Sequence, residues 1–188
     1  MGFLLLLAIV AAAVLWGVGT YNGLVSLKNR ADEAWRQIDV QLKRRHDLVP
    51  NLVEAVRGAM EFEKSTLESV VAARSRAVAA RGPAETASAE AGLSRALGEV
   101  FAVVEKYPEL KSNENVLRLQ EELANTENLV AFARQHYNSL VGDLNTRLEA
   151  FPGSLIARQF AFERREYFEA ADEDRAVPRV SLGATPRA

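Results

Sequence analysis

The distribution of apolar residues divides the chain into an uncharged N-terminal segment and a longer part with helical periodicity. No charged side chain occurs from Met1 to Leu27, and an apolar run from Phe3 to Val18 lies inside this segment. A helix of this length spans roughly 30 Å of hydrocarbon. Trp16 and Tyr21 lie toward its end, where amphipathic aromatic side chains favour the headgroup layer. The pattern predicts a transmembrane helix over residues 1–21.

Two other interpretations of this segment fit less well. A core helix of a soluble domain rarely begins at the third residue with Phe-Leu-Leu-Leu-Leu. A cleaved signal peptide has a basic N-terminal region, which is absent here, and Val18-Gly19-Thr20 is a poor cleavage site. The chain has no Cys, so the attachment residue of a lipoprotein is missing as well. We therefore expect an uncleaved anchor.

The basic residues predict the orientation of this anchor. Lys and Arg are retained on the cytoplasmic side of a membrane, and here they follow the span rather than precede it. The N-terminus is expected outside and the larger domain inside the cytoplasm. The residues concerned are Lys28, Arg30, Arg36, Lys43, Arg44 and Arg45.

Beyond the span, apolar residues recur every three or four positions, which is typical of amphipathic helices. Pro50 interrupts the first stripe, and the sequence leaves open a kink or a tight turn in which Asp47 caps a new helix. Later stops are expected at Arg81-Gly82-Pro83, Tyr107-Pro108 and Phe151-Pro152-Gly153. The stripes include Leu24, Leu27, Ala31, Ala34, Ile38 and Leu42, then Val49, Val53, Val56, Met60, Leu67 and Val70, then Leu93, Leu97, Val100 and Val104, and finally Val116, Leu119, Leu123, Val130, Tyr137, Leu140 and Leu144.

Strand and hairpin signals are missing from the sequence. Short connections near residues 47–50, 81–84 and 107–112 make consecutive helices antiparallel neighbours. We predict an all-α protein in which the N-terminal transmembrane helix continues into an antiparallel, four-helix-type bundle over residues 22–170. Residues 171–188, with mixed charge and two Pro, are predicted to be a disordered tail.

Several stretches resemble the LemA family of bacterial membrane-anchored proteins over about residues 20–168. The resemblance implies a single N-terminal membrane helix and a cytoplasmic four-helix-type bundle at the inner membrane, and one relative belongs to the magnetosome membrane system. Some relatives carry a lipobox Cys where this chain has Trp16-Gly17-Val18-Gly19. The resembling stretches are Tyr21 to Val25, Gln37 to Glu54, Tyr107 to Lys111, Leu119 to Leu123 with Thr126 to Asn128, Ala133 to Asn138, and Phe151-Pro152.

The chemistry-bearing residues predict neither an enzyme nor a cofactor site. A di-iron bundle needs Glu-x-x-His pairs, but Lys43 and Ala133 stand three residues before His46 and His136. Zinc-protease, nucleophile-elbow and phosphate-loop motifs are also absent. The net charge of −2, with acids and bases interspersed, gives no reason to expect nucleic acid, and no small-molecule substrate is evident.

Two groups of residues are candidates for contacts. The basic block Lys43, Arg44, Arg45, His46 and Asp47 is read either as a cap and solvated face at a helix end or as a contact with a partner or anionic lipid. The small-residue pairs Ala13-x-x-x-Gly17 and Gly19-x-x-x-Gly23 would let membrane helices approach closely, although Ala and Gly are common in such helices anyway. His136 is expected at the surface, beside the core residue Tyr137.

Two functions of different classes follow from these candidates. The first is a membrane scaffold or organiser that forms a homo-oligomer through its long helices, including the span. The second is a regulatory or sensory adaptor that binds a cytoplasmic or membrane protein partner through the segment from Gln37 to Glu54. In both cases the lipid bilayer is itself a partner.

Overall fold

The computed structural model of the chain describes residues 1–58 and 63–169, and these residues form six α-helices and no strand. Four of the helices are long, and they alternate in direction from one to the next. The expected all-α antiparallel bundle is confirmed, while the predicted tail, 171–188, lies outside the described residues. The helices are α1, Gly2–Arg57; α2, Lys64–Ala79; α3, Gly82–Val104; α4, Pro108–Lys111; α5, Glu114–Glu149; and α6, Gly153–Gln159.

Helix α1 joins the apolar segment to the bundle without a break. It contains 56 residues, which corresponds to roughly 84 Å at 1.5 Å per residue. An 18-residue window of α1 has a mean hydropathy of 2.4, and none of that window is buried against the rest of the chain. From Leu24 onward, by contrast, one side of the same helix is buried. By length and composition, α1 is therefore a candidate membrane span whose continuation is part of the bundle.

Of the two alternatives at Pro50, the tight turn with a new helix capped by Asp47 is wrong, because α1 continues through this residue to Arg57. Proline has no amide hydrogen, so the carbonyl four residues earlier, that of His46, loses its helical partner. Arg74 on α2 supplies a replacement, since its Nε–H donates to the His46 carbonyl oxygen at 2.7 Å. A tertiary hydrogen bond thus satisfies the carbonyl that Pro50 leaves free, and the first connection follows Arg57.

The other connections lie close to their predicted positions. Helices α2 and α3 are joined through Ala80 and Arg81, and Gly82 starts α3 with a φ of 75°, a conformation that a residue with a Cβ rarely adopts. Between α3 and α5, the short helix α4 occupies part of the predicted loop. The Asn113 side chain then caps α5 by accepting from the amide of Asn115 at 3.0 Å.

The interior consists of two apolar cores, one at each end of the bundle. The distal core is formed by the end of α1, by α2, by most of α3 and by the start of α5, and it contains Val49, Leu52, Val70, Leu93, Val100 and Val116. The membrane-proximal core is formed by the middle of α1, the rest of α5 and the C-terminal residues, and it contains Leu24, Ile38, Val130, Tyr137, Leu144 and Phe168. The predicted helical stripes supply most of both cores.

Candidate functional site

A buried polar cluster separates the two apolar cores, and we call it the polar layer: Arg45, His46, Glu90, Ser94 and Glu127. Arg45 Nη1 donates to Glu90 Oε2 at 3.1 Å, and its Nη2 reaches Ser94 Oγ at 2.8 Å and Glu127 Oε2 at 2.6 Å. His46 Nε2 lies 2.5 Å from Glu90 Oε1. Both oxygens of the Glu90 carboxylate are therefore engaged by α1, and Glu127 extends the cluster to α5.

Burial decides what the polar layer can do. The side chains of Arg45 and Glu90 are 4% and 6% exposed, whereas that of Glu127 is 51% exposed. A His–Glu pair can serve as a general acid or base only where substrate reaches it. Here the second carboxylate oxygen is held by a guanidinium, and the pair is enclosed by helices. The arrangement therefore suits the joining of α1, α3 and α5. Within the described ranges, no group of three His, Asp or Glu residues could hold a metal ion.

The predicted basic block is divided by the structure. Arg45 and His46 are buried in the polar layer, while Lys43, Arg44 and Asp47 are exposed. The reading of the block as a helix end is wrong, because α1 continues for another ten residues beyond Asp47. Any contact with a partner or with lipid therefore falls to the three exposed side chains, for which it stays a prediction.

Sequence reasoning missed a C-terminal strap, residues 160–169, which packs along α1 and α5. Two asparagines on α5 hold the backbone of the strap, and each of them bonds both the N–H and the C=O group of one strap residue. Asn145 accepts from the Arg165 amide at 2.9 Å and donates to the Arg165 carbonyl at 2.9 Å. Asn138 likewise accepts from the Phe168 amide at 2.8 Å and donates to the Phe168 carbonyl at 3.3 Å. The sequence held one signal for this strap, namely two asparagines seven positions apart on the side of α5 that faces the core.

Tyr137 fixes the same strap from the core. Its hydroxyl donates to the Glu166 carbonyl at 2.9 Å, and its ring packs against Trp35 with centroids 5.4 Å apart. Burial raises the pKa of the Tyr137 hydroxyl above its usual value of 10.0. Arg165 completes the attachment by pairing with Asp32 of α1 at 2.5 Å. His136 is exposed, beside Tyr137, as its position in the sequence predicted.

The small residues of the span face different surroundings. A Cβ on Gly17 would lie 3.7 Å from Ile156 of α6, and one on Gly23 would lie 3.6 Å from Arg147 of α5. A Cβ on Gly19 would meet no atom within 4 Å, and Ala13 is exposed. In each small-residue pair, therefore, one residue lies against another helix of the same chain, and the other has free space beside it.

An apolar groove runs between α1 and α5 on the outer surface of the bundle. It has a volume of about 530 Å³, and Val40 and Phe132 line it with largely exposed side chains. Gln41 also lines the groove, and its buried Oε1 has no hydrogen-bond partner among the described residues. Glu33 and Arg36 give the groove a charged rim. We call this surface the Val40–Phe132 groove.

Comparison with known proteins identifies the class to which this membrane-associated helical bundle belongs. Residues 34–182 match the LemA family, so the match covers most of the chain. The chain is a member of the LemA family, as the resembling stretches in the sequence predicted.

The most similar relatives include proteins of magnetosomes. Magnetosome protein MamQ 2 of Paramagnetospirillum magneticum is 25% identical over 175 residues, which cover 79% of this chain and 64% of that protein. Magnetosome protein MamQ of Magnetospirillum gryphiswaldense is 24% identical, with coverages of 85% and 70%. Protein LemA of Metamycoplasma hominis is 25% identical, with coverages of 84% and 73%. The chain thus spans slightly less than two thirds of the length of the MamQ 2 relative.

The polar layer predicts an asymmetry between its two glutamates. Glu90→Gln leaves the buried Arg45 guanidinium without its principal counter-charge, so we expect a loss of about 3–5 kcal/mol in the free energy of unfolding. Glu127→Gln removes a half-exposed partner and should cost about 0–1 kcal/mol. Urea unfolding of the detergent-solubilised protein, followed by circular dichroism, measures both. Equal losses for the two variants would contradict the assignment of Glu90 as the central residue.

Tyr137 predicts a change of stability at alkaline pH. Because its folded-state pKa is raised, the neutral phenol stabilises the folded state fully below pH 10, and this contribution is lost as pH rises through the folded pKa. Tyr137→Phe lacks the hydrogen bond to Glu166 and should be less stable by about 1 kcal/mol near neutral pH. Unfolding measured from neutral to strongly alkaline pH should show this difference shrinking. A constant difference would show that the hydroxyl is not protected by burial.

Proposed function

We propose that this chain is a non-enzymatic, single-pass membrane scaffold or organiser that associates with copies of itself. The observation that carries the proposal is the continuity of α1, which is exposed and apolar over its first part and packed in the bundle over the rest. A rigid helix of this kind couples contacts made in the membrane to the position of the bundle outside it. The His46–Glu90 pair at the centre of the polar layer is buried, which favours a function carried out through the outer surfaces of the bundle.

Two surfaces support self-association. The first is the apolar segment of α1, where Ala13 and Gly19 remain open to a second helix. Small residues allow membrane helices to approach closely enough for extensive van der Waals contact. The second is the Val40–Phe132 groove, in which large apolar side chains stay exposed on an otherwise polar face. Exposed apolar surface with a charged rim is typical of protein interaction sites.

A regulatory or sensory adaptor is the second candidate function. It is favoured by the Val40–Phe132 groove alone, because a partner helix could bind there as readily as a second copy. Lys43, Arg44 and Asp47 are exposed farther along α1 and would contribute charge to such a contact. The two functions differ in what occupies the groove.

The location proposed for this protein is the bacterial inner membrane, with the bundle in the cytoplasm. The excess of Lys and Arg after the apolar segment supports this orientation. Relatives named as magnetosome proteins support a role at a membrane.

Self-association predicts cross-linking through the open face of the span. The chain has no native Cys, so Gly19→Cys introduces a single thiol, and we expect disulfide-linked dimers on oxidation in native membranes. Glu54→Cys, exposed at the distal end of α1, is the matched control and should give little dimer. Only monomer from Gly19→Cys and from Phe132→Cys would favour the adaptor over the scaffold.

The contribution of the span is tested by adding bulk to it. Ala13→Leu with Gly19→Leu should hold two membrane helices apart and shift the solubilised protein toward monomer in size-exclusion chromatography. Val14→Leu adds bulk to an exposed position about 100° or more around the helix from both Ala13 and Gly19, and it should leave the assembly intact. If the double variant assembles as the wild type does, the contacts belong to the bundle, and the Val40–Phe132 groove becomes the first surface to examine.

The orientation predicts the behaviour of fused reporters. A phosphatase that is active only outside the cytoplasm should stay inactive when fused after Ala188, because the basic residues keep that side inside. A green fluorescent reporter at the same position is the control and should fluoresce. Strong phosphatase activity would reverse the orientation and remove the cytoplasmic partner from the adaptor hypothesis.

A further inference from the structure

Three large apolar side chains are exposed at the end of the bundle that adjoins the membrane span. Phe151, Leu155 and Phe160 are 80%, 56% and 57% exposed. They lie on and beside the short helix α6, which follows the turn at the end of α5. Neither apolar core of the bundle covers them. In water, three such side chains at one end of a domain would be an unfavourable exposed surface.

The contacts of α6 place these side chains at the depth of the membrane. Ile156 Cδ1 lies 3.7 Å from the position that a Cβ on Gly17 would occupy, and Gly17 belongs to the apolar run of α1. The Phe160 ring packs against Tyr21, with centroids 4.7 Å apart. If the hydrocarbon begins near Gly2 and is about 30 Å thick, it ends near Tyr21, so Ile156 lies roughly 6 Å inside that edge.

Several arginines of the same region lie at the level expected of the headgroups, next to an exposed ion pair between Arg164 and Glu149 at 3.0 Å. Arg147 and Arg158 are exposed near α6, and Lys28 follows the uncharged segment of α1. Arg147 reaches the level of Gly23, beyond the apolar run, with Nη1 3.6 Å from the position of a Cβ there. Cations at this level lie beside anionic headgroups while their apolar stems lie toward the hydrocarbon.

We infer that α6 and its flanking residues form a second membrane contact, in which Phe151, Leu155 and Phe160 enter the interfacial layer of the bilayer beside the exit of α1. The inference goes beyond the proposed function and shares with it only the embedded segment of α1. Because α6 is attached to both α1 and α5, a bundle anchored at two places would be held at a fixed tilt and rotation relative to the membrane. Its lateral surfaces, including the Val40–Phe132 groove, would then face neighbours in the same plane.

Spin labelling of single-cysteine variants tests this contact, since the chain has no native Cys. Full-length Leu155→Cys carries a nitroxide label and is placed in vesicles of phosphatidylethanolamine and phosphatidylglycerol. Oxygen concentrates in the hydrocarbon, whereas a polar nickel complex stays in water. The label at Leu155 is expected to be more accessible to oxygen than to nickel. Ile9→Cys, within the span, should show the same order, and Leu117→Cys, exposed at the distal end of the bundle, the opposite one.

Each outcome decides the inference. A label at Leu155 that is more accessible to nickel, while the label at Ile9 reports insertion, overturns the lipid contact and leaves the membrane span standing. Exclusion of both reagents at Leu155 also overturns it, because it shows that the label is buried against protein instead of lipid. The same insertion in vesicles of phosphatidylcholine alone is expected, and its loss there would show adsorption by charge instead of apolar insertion. Cross-linking of the Gly19→Cys variant tests self-association independently of the label at Leu155. A failure of the scaffold proposal can therefore be told apart from a failure of the second membrane contact.

Discussion

The carboxylate of Glu90, on α3, lies in the interior of the bundle between the Arg45 guanidinium and the His46 imidazole, both of which belong to α1. Separating it from Arg45 would leave a buried charge without a partner, which costs several kcal/mol. A slide of α3 along α1 by one turn, about 5.4 Å, would break both contacts at once. The apolar cores on either side impose no such pairwise match, because the hydrophobic effect is non-directional. We therefore expect the polar layer to fix the register of α1, α3 and α5.

His46 connects this layer to the remaining long helix. Its side chain contacts Glu90 on α3, and its carbonyl, freed by Pro50, accepts a hydrogen bond from Arg74 on α2. One residue thus joins α1 to both helices of the α2–α3 hairpin. Pro50 has the opposite role from the one that its chemistry alone suggests, because it creates an acceptor that a neighbouring helix uses and does not end α1.

The continuity of α1 has consequences at the other end of the molecule. Because the helix passes from the apolar segment into the bundle without a break, the packing of α5, α6 and the strap along it sets where the bundle stands relative to the span. Asn138 and Asn145 hold the strap through its backbone groups, and the side chains of Arg165 and Phe168 add an ion pair with Asp32 and a buried apolar contact. Among the described residues, apolar surface is exposed on the first part of α1, in the Val40–Phe132 groove and at the end formed by α6, as expected of a protein that works through contacts.

The sequence by itself determined the class of protein: an apolar N-terminal helix, amphipathic helices with their buried stripes, and membership of the LemA family. These features are local or periodic, and hydrophobicity at a spacing of three and four residues is readable without knowing what each face meets. The tertiary structure alone decided the fate of Pro50, the burial of Arg45 and His46, and the course of the strap. Each of these depends on a partner distant in the chain, Arg74, Glu90, Asn138 or Asn145, and no local pattern specifies which polar residue will satisfy which buried group.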